Sequence, residues 1–124
     1  MSELLPNYLE GRWQTGSGKG VALMDPVLGE ELVRVDATGH DLGAAFRFAR
    51  ETGGAALRAM TYPQRAAMLS NIVKLLGANK EAYYEISTRN SGTVKNDTMV
   101  DVDGGIFTLG YYARLGSKLP EAHF

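Results

Sequence analysis

The chain has no cysteine, which removes disulfides, thiolate metal ligands and any cysteine nucleophile, and fits a reducing compartment. It has only two histidines, His40 and His123. One lies in a loop ahead of a helix and the other at the end of the sequence, without a third ligand or an orienting carboxylate, so both read as surface residues. No run approaches the roughly 20 apolar residues that cross a bilayer, and the opening Met-Ser-Glu-Leu-Leu-Pro lacks the basic and apolar regions of a signal peptide. A cytoplasmic location follows, with no membrane partner. An excess of one charge is also missing. The 13 basic and 14 acidic residues give a net charge of −1, and without a basic stripe to neutralise phosphates, nucleic acid is not an expected partner.

What is present is a soluble globular composition, 124 residues long and 44% hydrophobic, about the size of one domain. Its texture changes near residue 36. Residues 1–36 read as a β-hairpin segment. Tyr8-Leu9 and Arg12-Trp13 flank Glu10-Gly11, where glycine supplies the positive φ of a tight hairpin. Val21–Met24 and Glu31–Val35 form a second pair across Asp25-Pro26-Val27-Leu28-Gly29. Residues 37–124 read as a helical segment of four helices, and the two segments together make one partial domain.

The first helix carries Leu42, Ala45, Phe46 and Ala49 on one face and is interrupted at Gly53-Gly54. The second starts with Thr61 as cap, Gln64 as its capping-box partner and Pro63 in the first turn, and buries Leu69, Ile72, Val73 and Leu76. The third begins near Asn79, carries Ala82, Tyr83 and Ile86, and ends at Asn90-Ser91-Gly92 with glycine in the left-handed conformation. The fourth, capped by Asn96 or Asp97, places Met99, Val102, Ile106, Leu109 and Ala113 at helical spacing. Gly104-Gly105 inside it costs about 1 kcal/mol per residue relative to alanine, which points to close packing of another backbone there.

Four apparent motifs lack the partners their chemistry needs. Gly16-Ser17-Gly18-Lys19-Gly20 is glycine-rich, but it lacks the earlier glycine, the hydroxyl after lysine and the following helix of a phosphate loop, so it reads as a polar turn. Asp101 and Asp103 before Gly104 lack the remaining ligands of a calcium loop. Ser91 and Thr93 have no neighbouring base to activate them. Tyr111-Tyr112 has no interleaved basic residues and reads as core and interface packing.

Tyr8-Leu9-Glu10-Gly11-Arg12-Trp13, Asp25-Pro26 with Gly29-Glu30, Arg65 opening an apolar helix, Ser91-Gly92, Val100-Asp101-Val102 and Tyr111-Tyr112-Ala113 occur in an order that resembles the N-terminus of aldehyde dehydrogenases. Ala55 to Tyr62, Asn90 to Thr93, Val100 to Leu109 and Tyr111 to Gly116 look like the semialdehyde dehydrogenases that act on CoA-linked products in aerobic benzoate and phenylacetate degradation. The resemblance covers Asn7 to Leu119. It implies the N-terminal part of that α/β fold: mostly α with short N-terminal β-hairpins, and without the parallel Rossmann-like sheet.

The resemblance also implies an oxidoreductase using NADP or NAD, in which a cysteine thiolate attacks the aldehyde, hydride passes to the nicotinamide and a glutamate-activated water releases the acid. In relatives those groups lie beyond the segment that corresponds to this chain. The 124 residues alone are therefore expected to be catalytically inactive and to bind no cofactor. By matching positions, a structural sodium or potassium ion would be held by the backbone carbonyls of Leu23 and Met24 and by Asn90, which stands in place of the family's acid. Local chemistry gives Asn90 a different role, closing the helix before Gly92. Exposed hairpins and apolar helix faces imply self-association. The alternative is a free-standing, noncatalytic helical module that binds a partner protein, whose mark would be a large apolar surface.

Overall fold

The computed structural model describes residues 2–122, so His123 lies outside the described residues. Five strands come first: β1 (Leu4–Leu5), β2 (Asn7–Leu9), β3 (Arg12–Gln14), β4 (Val21–Met24) and β5 (Glu31–Val35). Helices α1 (Leu42–Phe48) and α2 (Gly54–Ala59) follow, joined by a π turn over Ala49–Gly53, then α3 (Tyr62–Ala78), α4 (Lys80–Ser91) and α5 (Lys95–Gly116). The chain forms two compact units. The first unites the described residues up to Gly54 with Arg89–Gly92, and the second unites Ala55–Thr88 with the described residues from Thr93 onward.

In the first unit both expected hairpins form. β2 and β3 pair antiparallel with Tyr8 opposite Trp13, and their rings meet edge to face at 5.1 Å. Glu10 (φ 52°) and Gly11 (φ 81°) make the turn, the two positive φ values that a two-residue hairpin with right-handed strand twist demands. β4 pairs antiparallel with β5 through a register shift between Leu23 and Met24. Absent from the sequence reading was β1, which adds to the other edge of β5 in parallel and completes a three-stranded sheet ordered β1-β5-β4. Two residues are too short for a period of alternation to register.

One sequence expectation fails in the first helical stretch. Gly53-Gly54 does not interrupt it: Gly54 takes helical dihedrals (φ −62°, ψ −40°), and α2 begins on it. The extra residue of the π turn carries the helix past the glycines. The apolar face of α1 is open, with Leu42 47% and Phe46 76% exposed. It lines an open apolar cavity of about 350 Å³ with Tyr8, Leu9, Gly11 and Phe48.

The second unit is helix on helix. Thr61 and Gln64 form the expected capping box, with Thr61 N donating to Gln64 Oε1 at 2.8 Å and Gln64 N to Thr61 Oγ1 at 3.4 Å. A further N–H of that first turn, on Tyr62, donates to the carbonyl of Ala122. α3 packs along α5 through small residues. Ala66 and Ala113 are buried, and a Cβ on Gly116 would lie 3.2 Å from that of Ala66.

Of the expected α3 stripe, Leu69, Val73 and Leu76 turn inward and half-buried, whereas Ile72 lies at the edge. In α4 it is Tyr84 that is buried, while Ala82 and Ile86 are exposed. Adjacent tyrosines fit the helical period almost equally well, and hydrogen bonding of the phenol selects Tyr84. α5 starts one residue ahead of the expected caps, after Val94, which makes no side-chain capping bond. Asp97 instead sits in the first turn, where its charge meets the positive end of the helix. Nothing approaches within 4 Å of a Cβ built on Gly104 or Gly105, so the close approach in this chain falls at Gly116.

Candidate functional site

The corner where β4 ends is organised by Asp25. Its side chain is buried, and its Oδ1 accepts from the N–H groups of Val27 (2.8 Å) and Leu28 (2.9 Å). Its own N–H donates to the carbonyl of Glu30, and its carbonyl accepts from Gly29 N. Those bonds close the turn that the Asp-Pro-x-x-Gly pattern announced. The bonds from Leu28 and Val27 hold the carboxyl below its ordinary value, with a smaller contribution from the positive charge of Arg89.

The end of α4 reaches the same corner. Gly92 has φ 70°, and a Cβ there would lie 3.0 Å from Pro26 Cγ and 3.1 Å from Val27 Cγ2. Gly92→Ala is therefore expected to cost at least about 1 kcal/mol, from left-handed strain together with a forced contact, read as a lower urea midpoint at unchanged slope. Leu23 and Met24 immediately precede Asp25, and Asn90 is two residues from Gly92. Two carbonyls and an amide are neutral oxygen donors that suit a weakly held monovalent cation. Arg89 already supplies positive charge at this corner.

The glycine-rich loop is filled from within. Gly18 N donates to Asp36 Oδ2 at 2.6 Å, while Asp36 Oδ1 accepts from Thr38 Oγ1 at 2.7 Å. A Cβ on Gly18 would lie 2.9 Å from that same Oδ2. An anion loop needs its N–H groups for the ligand, and here an internal carboxylate takes one of them. His40 is half-buried rather than on the surface, its Nε2 lying 3.2 Å from Asn7 Nδ2.

Two polar clusters tie α4 to α5, and sequence reading missed both. Tyr84 Oη donates to Asp103 Oδ1 at 2.6 Å, and Lys80 Nζ lies 3.3 Å from Asp103 Oδ2 and 5.6 Å from the Tyr84 ring centroid. The phenol bond, then the ammonium, hold the Asp103 carboxyl low. The same carboxylate raises Tyr84, and Lys80 is raised by Tyr84 and then by Asp103. A depressed carboxyl stabilises the fold above its unfolded value, 3.8 here, and that stability is lost as pH falls below it. Raised Tyr84 and Lys80 stabilise below their ordinary values of 10.0 and 10.5 and lose that effect as pH climbs past them. Asp103→Asn is expected to lower Tm throughout the intervening range and to flatten the acid limb of a Tm-against-pH curve.

In the other cluster, Thr98 is fully buried, with its Oγ1 2.9 Å from Thr88 Oγ1 and 2.6 Å from Thr93 Oγ1. The clue was spacing, since Thr98, Val102, Leu109 and Ala113 share one helical face, but a threonine is not counted as apolar in such a pattern.

No group of three or more His, Cys, Asp or Glu is placed to hold a metal ion among the described residues. No described helix is long and apolar enough to cross a membrane. The fold of the chain has a counterpart among solved structures. It overlays on aldehyde dehydrogenase 21 from Physcomitrella patens, solved in complex with the reaction product succinate, with a TM-score of 0.81 over 93% of this chain and 24% of that one, at 20% identity.

At that identity the likeness speaks for fold. The aldehyde dehydrogenase family's sequence profile matches residues 13–124, and the chain belongs to that family. It is 53% identical over 115 residues to 3,4-dehydroadipyl-CoA semialdehyde dehydrogenase of Aromatoleum evansii, covering 93% of this chain and 22% of the relative. It is 29% identical over 114 residues to D-glyceraldehyde dehydrogenase (NADP(+)) of Picrophilus torridus, covering 90% and 23%. The chain thus spans less than a quarter of the length of these curated relatives.

Proposed function

We propose that this chain is the N-terminal portion of a cytoplasmic NAD(P)-dependent semialdehyde dehydrogenase that oxidises a CoA-linked semialdehyde to the acid in aromatic-compound degradation. The observation that carries this reading is the 53% identity, sustained over 93% of the chain, to a relative whose name specifies such a substrate. Use of NADP is supported by the name of the second relative. The portion contributes scaffold rather than chemistry. It has no cysteine to supply the thiolate that family chemistry requires, and its titratable clusters serve to join helices and close turns.

The test is a graft in which the chain replaces the aligned segment of the Aromatoleum evansii enzyme. The graft is expected to keep NAD(P) reduction with a CoA-linked semialdehyde, whereas the 124 residues alone produce no NAD(P)H. An inactive but folded graft, or turnover by the isolated chain, would overturn the reading.

Of the two roles open to Asn90, helix closure has the support of the left-handed Gly92 and of the Arg89 charge at the same corner. Replacing choline chloride by potassium chloride at equal ionic strength is accordingly expected to leave the Tm of the isolated chain unchanged. A rise that disappears in Asn90→Ala would assign the cation instead.

A further inference from the structure

The side-chain amide of Asn7 serves two partners with one nitrogen. Nδ2 donates to the carbonyl of Asp36 at 2.6 Å and lies 3.2 Å from Nε2 of His40. A carbonyl oxygen only accepts, so the first contact fixes which end of the amide faces this corner. The second hydrogen of Nδ2 then meets His40, and Nε2 must receive it on a lone pair, which places the proton of the neutral ring on Nδ1. Protonation of the ring would set an N–H on Nε2 against the N–H of Asn7. Turning the amide over does not relieve the conflict, because Oδ1 would then stand against the Asp36 carbonyl. No arrangement of an imidazolium keeps both contacts.

The contact joins two parts of the first unit. Asn7 opens β2, opposite Gln14, and His40 stands in the loop that enters α1, with its N–H on the carbonyl of Ala37 and its own carbonyl accepting from Leu42 N. Tyr8 and Leu9 on one side, and Leu42 and Phe46 on the other, wall the open apolar cavity. The Asp36 carboxylate, just past β5, is held below its ordinary value by the Thr38 hydroxyl and the Gly18 N–H, with a smaller contribution from charge on His40. Asp41, next to His40 in the chain, turns its Oδ1 to Ala44 N at 2.9 Å, and β2 offers only the uncharged Asn7. Asp36 can therefore attract the imidazolium that Asn7 rejects.

We propose that His40 is a pH-sensitive latch beside this cavity. Neutral, it accepts from Asn7 and holds β2 to the loop entering α1. Protonated, it leaves Asn7 for Asp36, and the two walls are free to part. The latch lies within the first unit and does not depend on the dehydrogenase reading.

The test is nuclear magnetic resonance of the 124-residue chain with nitrogen-labelled histidine and asparagine, titrated from about pH 8 to about pH 5, the range in which imidazoles change charge. The substitution His123→Ala leaves a single histidine signal. At the upper limit the His40 ring is expected to carry its proton on Nδ1. As pH falls, the Asn7 Nδ2 resonance is expected to move with the same midpoint as the ring, while the far-UV helical signal stays constant. In His40→Phe the Asn7 resonance is expected to stop responding to pH. A ring proton on Nε2 at the upper limit, an Asn7 resonance that ignores the titration of the ring, or one that still titrates in His40→Phe would each overturn the latch. Loss of helical signal at the same midpoint would also overturn it, because protonation would then unfold the chain rather than exchange a partner. Where His40→Phe does not fold, the tautomer and the shared midpoint in the chain that keeps His40 still decide the matter.

Discussion

Ala113→Leu is expected to lower the Tm of the α3–α5 pair by on the order of 10 °C or more, with loss of far-UV helical signal at a correspondingly lower temperature. Ala113 is 1% exposed and Ala66 3%. The two helices meet through residues with almost no side chain, so a Cβ on Gly116 would already stand 3.2 Å from the methyl of Ala66. Three added carbons at Ala113 have no room unless the axes part. Overpacking of this kind costs about 1–3 kcal/mol, occasionally more. Parting the axes would also strip contacts from the half-buried Leu69, Val73, Ile106 and Leu109. Because total stabilities are about 5–15 kcal/mol, one substitution can remove much of the margin. Ala113→Ser, nearly the same size, separates volume from polarity. It should melt within a few degrees of the unsubstituted chain, and an equal loss for serine and leucine would refute the steric account.

Thr98→Val is expected to cost about 1–3 kcal/mol, although it preserves shape almost atom for atom. The Thr98 hydroxyl is the atom shared by Thr88 at 2.9 Å and Thr93 at 2.6 Å, and it is sealed from water at 0% exposure. A valine methyl removes that common partner from two hydroxyls at once. The reading is a urea denaturation midpoint that falls at constant slope. The double substitution Thr88→Val with Thr98→Val should recover part of the loss, because removing both partners of a buried pair is milder than removing one. A double variant that is fully additive would show that the two hydroxyls act independently.

The expectations that the structure upholds were those with a local cause. The hairpin at Glu10-Gly11, the Asp25 turn, the Thr61–Gln64 capping box and the halt of α4 at Gly92 are each determined by a few adjacent residues. The inner stripe of α5 was legible because it repeats over about four turns. What failed had distant causes. Tyr83 was chosen over Tyr84 because only Asp103, nineteen positions away, distinguishes them. Gly104 and Gly105 were read as marking a close approach, but nothing comes within 4 Å of a Cβ on either, and within this chain that role falls to Gly116, because Ala66 is what faces it. At the candidate site, Leu23, Met24 and Asn90 could be set side by side only by resemblance. No period or spacing connects a strand end to a helix end more than sixty residues on.

The contact of Gly92 with Pro26 and Val27 also bears on how the chain comes into being. A ribosome emits residues in order, at about 5–20 per second, so the hairpins and their Asp25 turn leave the exit tunnel several seconds before the segment that completes them. During that interval the first unit lacks Arg89–Gly92, and Val27 and Leu28, 71% and 69% exposed even in the finished fold, stand open on the nascent chain. Assembly of the first unit is therefore tied to synthesis of about half of the second, and a pause in translation before Arg89 would prolong the window in which a chaperone could hold the early strands.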